Sequence, residues 1–295
     1  GYGTFASNKT FRYSLENSGY GVREISLEHP VAEDINIIVL ADMRSDFTEE
    51  EFRNFDAYLE RGGNLFILGE PKRQQFMNPV IEGLGLRFAD GIIVSPSEVN
   101  LDDLVAANIK EGAAKVSENY IRYFRSGYSI MTPSACAVEV IDSAKGFEIT
   151  EVLASAGKGS WVEKETTDFI NEKSVLNPAV GEVEKSNSIM LYLTRPVNNK
   201  EQRIFVIGDA DCISTLELSQ NRPGFRSSNF TLITETFRNL SYGEFPVEAS
   251  RVNPPDDRVL VTRNVIFGIR VVLMWIIPLL FVTGCITLLI RRKRK

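Results

Sequence analysis

Residues 35–70 read INIIVLADMRSDFTEEEFRNFDAYLERGGNLFILGE. Two short and almost wholly apolar runs, Ile35 to Leu40 and Asn64 to Leu68, flank a segment whose Phe52, Phe55 and Leu59 recur at helical spacing. Runs of five or six apolar residues with no polar alternation fit strands buried on both faces, as in a sheet covered by helices on each side. Thr48 and Glu51 form the T-x-x-E pattern of a capping box, which satisfies free amides at a helix start. Gly62-Gly63 then ends the helix. A strand, helix, strand unit with so short a return predicts parallel strands and an α/β class.

Working outward, Thr10 to Ser18 reads as a short helix and Gly21 to Leu27 as a strand, with Gln74 to Glu82 a helix and Ile92 to Ser95 another apolar run. Leu101 to Val116 is helical in pattern, and Ala137 to Ile141 reads as a strand. Ser155 to Ser160 is a small-residue loop before Trp161. The core pattern returns with strands at Ile189 to Thr194 and Arg203 to Ile207, joined by a polar hairpin, and with a helix at Phe230 to Leu240. The expected divisions are residues 1–95 for the first half of an α/β sheet domain, 96–180 for an elaboration or smaller second region, and 181–245 for the second half. A linker at 246–264, a membrane helix at 265–290 and a basic tail at 291–295 complete the chain.

The membrane reading rests on Val271 to Ile290, twenty residues without a charge, succeeded at once by Arg291-Arg292-Lys293-Arg294-Lys295. At about 1.5 Å per residue, twenty residues cross a hydrocarbon core of about 30 Å. Five terminal cations favour the cytoplasm, although Arg251, Arg258, Arg263 and Arg270 stand on the other side. All 39 acidic residues precede the helix, leaving 27 basic residues against them and a net charge of −12 in residues 1–264. Such a body is unsuited to nucleic acid or to an anionic inner leaflet. The expected location is the cytoplasmic (inner) membrane, with the soluble domain extracytoplasmic and lipid around the helix.

Chemistry is constrained by what the chain lacks. A single histidine, His29, argues against histidine-based metal sites and against Ser-His or Cys-His catalysis. No G-x-x-x-x-G-K phosphate loop and no G-x-S-x-G nucleophile elbow occurs. No cysteine stands directly after Asn64 to Leu68; Gly69-Glu70-Pro71 is there instead. In doubly wound sheets ligands bind beyond the carboxyl ends of the strands, and here those ends carry Asp42 and Arg44, Gly69 and Glu70, and Asp209 and Asp211. These six are the candidate ligand-binding residues. No catalytic residue, metal site or cofactor is expected. The Gly208-Asp209-Ala210-Asp211 turn reads first as a structural turn whose acids cap the next segment of chain. A membrane-tethered, metal-dependent hydrolase or phosphatase using Asp209 and Asp211 is the alternative, and a carbohydrate-binding or structural envelope module a third reading.

Several stretches in order resemble the gliding-motility-type (Gldg-like) ABC transporter auxiliary family of bacteroidetes. They are Gly19-Tyr20-Gly21-Val22, Asn36 to Leu40, Thr48 to Gly63 with its YLERGGNLFILGEP exit, Asn78-Pro79 with Gly83-Leu84-Gly85, and Ser160-Trp161-Val162-Glu163. Gln202 to Asp211 and Pro254-Pro255-Asp256-Asp257-Arg258 complete the set. The resemblance implies a Rossmann-like, amidotransferase-related, mostly parallel sheet that has lost catalytic residues and is tethered by a C-terminal transmembrane helix. It further implies a non-catalytic part of an ABC-2-type transporter, with ABC permease and ATP-binding subunits as partners and an unknown substrate. Family members often show G-H-G where this chain has Gly1-Tyr2-Gly3, so that histidine's role is lost here, and the strand expected ahead of it is missing.

Overall fold

A computed structural model describes residues 2–11, 14–142, 145–222, 224–246 and 263–294. The chain divides into two units, Gly1–Val247 and Glu248–Lys295. The first is built on a seven-stranded sheet.

After a single turn of helix, α1 (Gly3–Ala6), the chain reaches β1 (Ile37–Ala41), α2 (Glu49–Glu60), β2 (Asn64–Leu68) and α3 (Gln74–Glu82). The capping box forms as its residues dictate: Thr48 Oγ1 accepts from Glu51 N at 3.2 Å, and Glu51 Oε2 accepts from Thr48 N at 2.7 Å. Next are β3 (Leu86–Phe88), β4 (Ile92–Val94), β5 (Leu104–Ile109), a 3₁₀ turn at Glu111–Lys115 and α4 (Glu118–Arg125). Then come β6 (Ile130–Pro133), β7 (Val138–Val140), β8 (Glu148–Ala154), β9 (Trp161–Glu163), β10 (Ser188–Val197) and β11 (Lys200–Ile207), and finally α5 (Thr215–Ser219) and α6 (Asn229–Leu240).

The sheet order is β1-β2-β11-β10-β8-β5-β6. β1, β2 and β11 are parallel, whereas the pairings from β11 through β10, β8 and β5 to β6 are antiparallel. The fold is therefore mixed α/β, and the parallel order expected for most of the sheet holds over three strands. The reason is local: β10 and β11 are joined by the two-residue turn Asn198-Asn199, both at positive φ, which reverses the chain and forbids a parallel crossover.

Every residue of β2 is buried, and its side chains alternate between two cores. Leu65 and Ile67 pack with Phe55, Leu59 and Ile81 of α2 and α3, while Phe66 and Leu68 pack with Leu232, Phe237 and Leu240 of α6. Helices thus cover both faces of the sheet, as an unbroken apolar strand requires.

Three expectations fail. Leu101 to Val116 is not a helix: Val105, Ala107 and Ile109 bury every second side chain, and β5 joins β6 and β8. Within Thr10 to Ser18 the described residues form turns, and Asn17 Nδ2 donates to the carbonyls of Asn8, Lys9 and Phe11, so the side chain takes acceptors a helix would use. Gly21 to Leu27 pairs with no strand, and Val22 and Ile25 stay exposed. Ile92–Val94 and Val138–Val140 are strands as expected, but they sit in two-stranded ribbons, β4 with β9 and β3 with β7.

The C-terminal unit carries an apolar helix, α7 (Arg263–Val271), a π-helical stretch at Val272–Ile276 and α8 (Ile277–Lys293), of which Val265–Lys293 is long and apolar enough to cross a membrane. Pro278 explains the widened turn, because its ring crowds the carbonyl four residues back, inside the π stretch. Thr283 and Thr287 donate their hydroxyls to the carbonyls of Leu279 and Thr283 at 3.0 and 2.7 Å, which removes free donors from an apolar setting. Of the expected linker 246–264, residues 247–262 lie outside the described residues.

Candidate ligand site at the strand ends

The carboxyl ends of the three parallel strands lie side by side, because β1, β2 and β11 pair in register up to Ala41, Leu68 and Ile207. The loops leaving them are tied by backbone bonds: Asp42 N donates to Leu68 O at 3.2 Å, Gly69 N to Ile207 O at 2.7 Å and Cys136 N to Gly208 O at 2.8 Å. Two glycines allow this closeness. A Cβ on Gly69 would stand 2.6 Å from the Phe88 ring, and one on Gly208 1.9 Å from the Cys136 carbonyl oxygen.

These ends deliver four carboxyl groups to one place. Asp209 is completely buried; its Oδ1 accepts from Asp211 N at 2.7 Å and Cys212 N at 3.2 Å, the turn-capping role expected of it. Burial, then the charges of Glu70 and Asp211, push its carboxyl well above the ordinary carboxylate range. Glu70 is pushed up to about 8 by burial first and then by Asp211 and Asp42, against the opposing bond from the Ala210 amide. Asp42, at φ +46°, holds Arg44 Nε and Nη2 on Oδ2 at 3.0 and 2.6 Å. Arg73 Nε lies 3.4 Å from Asp42 Oδ1, an ion pair without hydrogen-bond geometry. Depth grades from exposed Arg44 and Asp211 through half-buried Asp42 and Glu70 to Asp209.

All six residues expected from the sequence therefore meet at one edge of the sheet. Two more belong with them. Arg73 comes after the same strand end as Glu70, and its position just ahead of α3 was the available signal. Tyr2 stands where the resembled family often has histidine, which was its signal; burial first, and then the charges of Asp211, Asp42, Glu70 and Asp209, raise its hydroxyl pKa.

One observation separates this cluster from every other acidic group. Among the described residues, the buried carboxylate oxygens with no hydrogen-bond partner are Asp42 Oδ1, Glu70 Oε2 and Asp209 Oδ2, and all three are here. Buried polar atoms are almost always bonded, so three unsatisfied acceptors in one place call for an explanation. No three histidine, cysteine, aspartate or glutamate side chains among the described residues converge closely enough to hold a metal ion. Asp209 Oδ1 is already committed to the amides of Asp211 and Cys212. Cys136 and Cys212 are buried free thiols, and burial pushes both up in pKa, away from the reactive thiolate.

Residues 4–120 match the model of a family described as an ABC-type uncharacterized transport system. The match indicates an auxiliary component of an ABC-type transport system. It covers fewer than half of the residues and includes the ends of β1 and β2 but not that of β11. No curated protein matches the chain. Among solved structures it is similar to the mmIFT52 N-terminal domain, with a TM-score of 0.49 and 16% identity over 71% of this chain and 78% of that one. A thua-like protein from Parabacteroides merdae is similar with a TM-score of 0.33 and 12% identity over 65% of this chain and 75% of that one.

Proposed function

We propose that the chain is the membrane-anchored, non-catalytic auxiliary component of an ABC-2-type transporter of the Gldg-like kind, with its sheet domain on the extracytoplasmic side of the inner membrane and its strand-end cluster as the ligand-binding place. The observation that carries this reading is the transport-family match over residues 4–120. The apolar helix Val265–Lys293 supports it, since a transporter component needs a way to stay beside membrane subunits.

In this reading the helix packs among the helices of an ABC permease, and ATP is hydrolysed by a separate subunit, because the chain has no phosphate loop. The acidic body faces away from the anionic inner leaflet. Asp42, Arg44, Gly69, Glu70, Asp209 and Asp211 form the place where a substrate or partner is recognised.

Two measurements test the reading. Co-expression with an ABC permease and its ATP-binding subunit, and then purification in a gentle detergent, is expected to yield a stable complex; a lone monomer overturns the assignment. Cysteine introduced at exposed Glu184 is expected to react with an impermeant maleimide on intact spheroplasts, and labelling only after lysis overturns the orientation.

A further inference from the structure

We infer that the strand-end cluster binds an organic cation, the guanidinium or ammonium group of a small ligand or of a basic partner side chain. This rests on the reading of the cluster as the ligand-binding place and adds the chemical class of what it takes. Three facts lead there. The buried oxygens that accept no hydrogen bond are Asp42 Oδ1, which has only the Arg73 ion pair, and Glu70 Oε2 and Asp209 Oδ2; they come from three adjacent parallel strands, and Asp209 is wholly buried. Acceptor oxygens without donors select a ligand rich in N–H groups, and the surplus of carboxyl groups selects a positive one.

The second fact is that the cluster already holds guanidinium groups at its rim. Arg44 donates side-on to Asp42 through Nε and Nη2, and Arg73 stands beside the other oxygen of the same carboxylate. Both pair with Asp42, and Arg73 also acts on Glu70, where burial and the neighbouring acids outweigh it. Neither arginine forms an ion pair with Asp209 or Asp211, the acids of the third parallel strand.

The third fact concerns size. Among the described residues no three histidine, cysteine, aspartate or glutamate side chains form a group that could hold a metal ion. A guanidinium carries five N–H donors in a planar fork, and an ammonium three around one atom, so either engages oxygens that a bare cation of ionic radius does not gather.

Ligand charge and the proton on Glu70 then exclude one another. Glu70 with its proton offers the cation less field, and a bound cation drives the proton off. Affinity consequently rises as the pH passes through the region near 8 where Glu70 ionises, and binding below it releases a proton.

The test uses the full chain in detergent or nanodiscs and calorimetric titration with ethylguanidinium, its neutral isostere N-ethylurea, butylammonium, Mg²⁺ and Ca²⁺. Saturable binding of ethylguanidinium or butylammonium but not of N-ethylurea is expected, with affinity rising at least about fivefold from pH 6 to pH 9. Asp209→Asn keeps an oxygen for the two amides and is expected to weaken binding at least about tenfold. Glu70→Gln is expected to lessen the pH dependence, what remains coming from Asp209, while the chain stays folded. Equal binding of the urea, no loss in either variant, or binding of the divalent ions alone overturns the inference. Co-purification with the permease, scored in the same preparation, keeps the two readings apart: a complex that assembles and ignores cations refutes the ligand class, whereas cation binding by a chain that never assembles refutes the transporter role.

Discussion

The two halves of the sheet treat buried carboxyl groups differently. In the antiparallel half the buried acids at structural joints are hydrogen-bonded, and so is the amide of Asn229. Asn229 accepts from Met131 N and Ser227 Oγ and donates to the carbonyls of Met131 and Cys212. Asp102 accepts from Ser97 N, Ser174 N and Lys173 Nζ, and Glu182 accepts from Lys164 N and Asn177 N. Glu235 holds Ser117 and Asn119 ahead of α4. In the parallel half, Asp42, Glu70 and Asp209 each keep a buried oxygen without a partner. Satisfied networks specify one packing, whereas unsatisfied acceptors cost stability and persist where they serve something else. The bonds of the antiparallel half hold the fold together, and the unbonded oxygens of the parallel half are those the proposed ligand site would use.

The largest expected effect tests the joint between the halves. Gly208→Ala sets a Cβ against the Cys136 carbonyl oxygen, and both are backbone-held, so a loss of at least about 3 kcal/mol is expected in urea unfolding. A loss under about 1 kcal/mol would show that the strand end yields easily. Next, Asn229→Ala strips four bonds at a buried site and is expected to cost about 2–3 kcal/mol by the same measurement.

Glu70→Gln should go the other way. The folded-state pKa of Glu70, about 8, lies above its ordinary value of 4.5, so the folded state holds this proton more tightly than the unfolded one. Stability is then complete below about pH 4.5 and falls as the pH rises through about 8, where the buried carboxyl must ionise. The glutamine variant avoids that loss. It is expected to melt above the wild type by roughly 2–4 °C at pH 9 and to match it at pH 4, and a lower melting point at pH 9 would erase the contrast between the halves. The smallest effect belongs to a site with no part in recognition: Thr48→Ala removes one arm of the capping box and is expected to cost about 1 kcal/mol at every pH.

The comparison also explains which parts of the chain were legible. The parallel half is made of local units: Thr48 and Glu51 start a helix, Gly62 ends it, and apolar Leu65 to Leu68 admit only a strand buried on both faces. The meeting of its strand ends was legible too: the six residues named there converge, because β1, β2 and β11 pair in register. Arg73 was within reach of the same reasoning, and Tyr2 was within reach of the resemblance, in which its position is often histidine. The antiparallel half resisted because Leu101, Leu104, Val105 and Ile109 fit helical spacing as well as strand alternation, and pairing with distant β6 and β8 decided between them. The helix expected at Thr10 to Ser18 gave way to bonds from a single asparagine side chain.

The amino-acid order alone determined the α/β class, the first strand-helix-strand unit, the apolar carboxy-terminal helix and the surplus of acid ahead of it, because each arises from neighbours a few residues apart. Only the tertiary structure decided the direction of the remaining strands and the partnering of each buried carboxylate. Those depend on which remote segments come within about 3 Å, and that distance is set by the packing of the whole sheet rather than by any stretch of the chain.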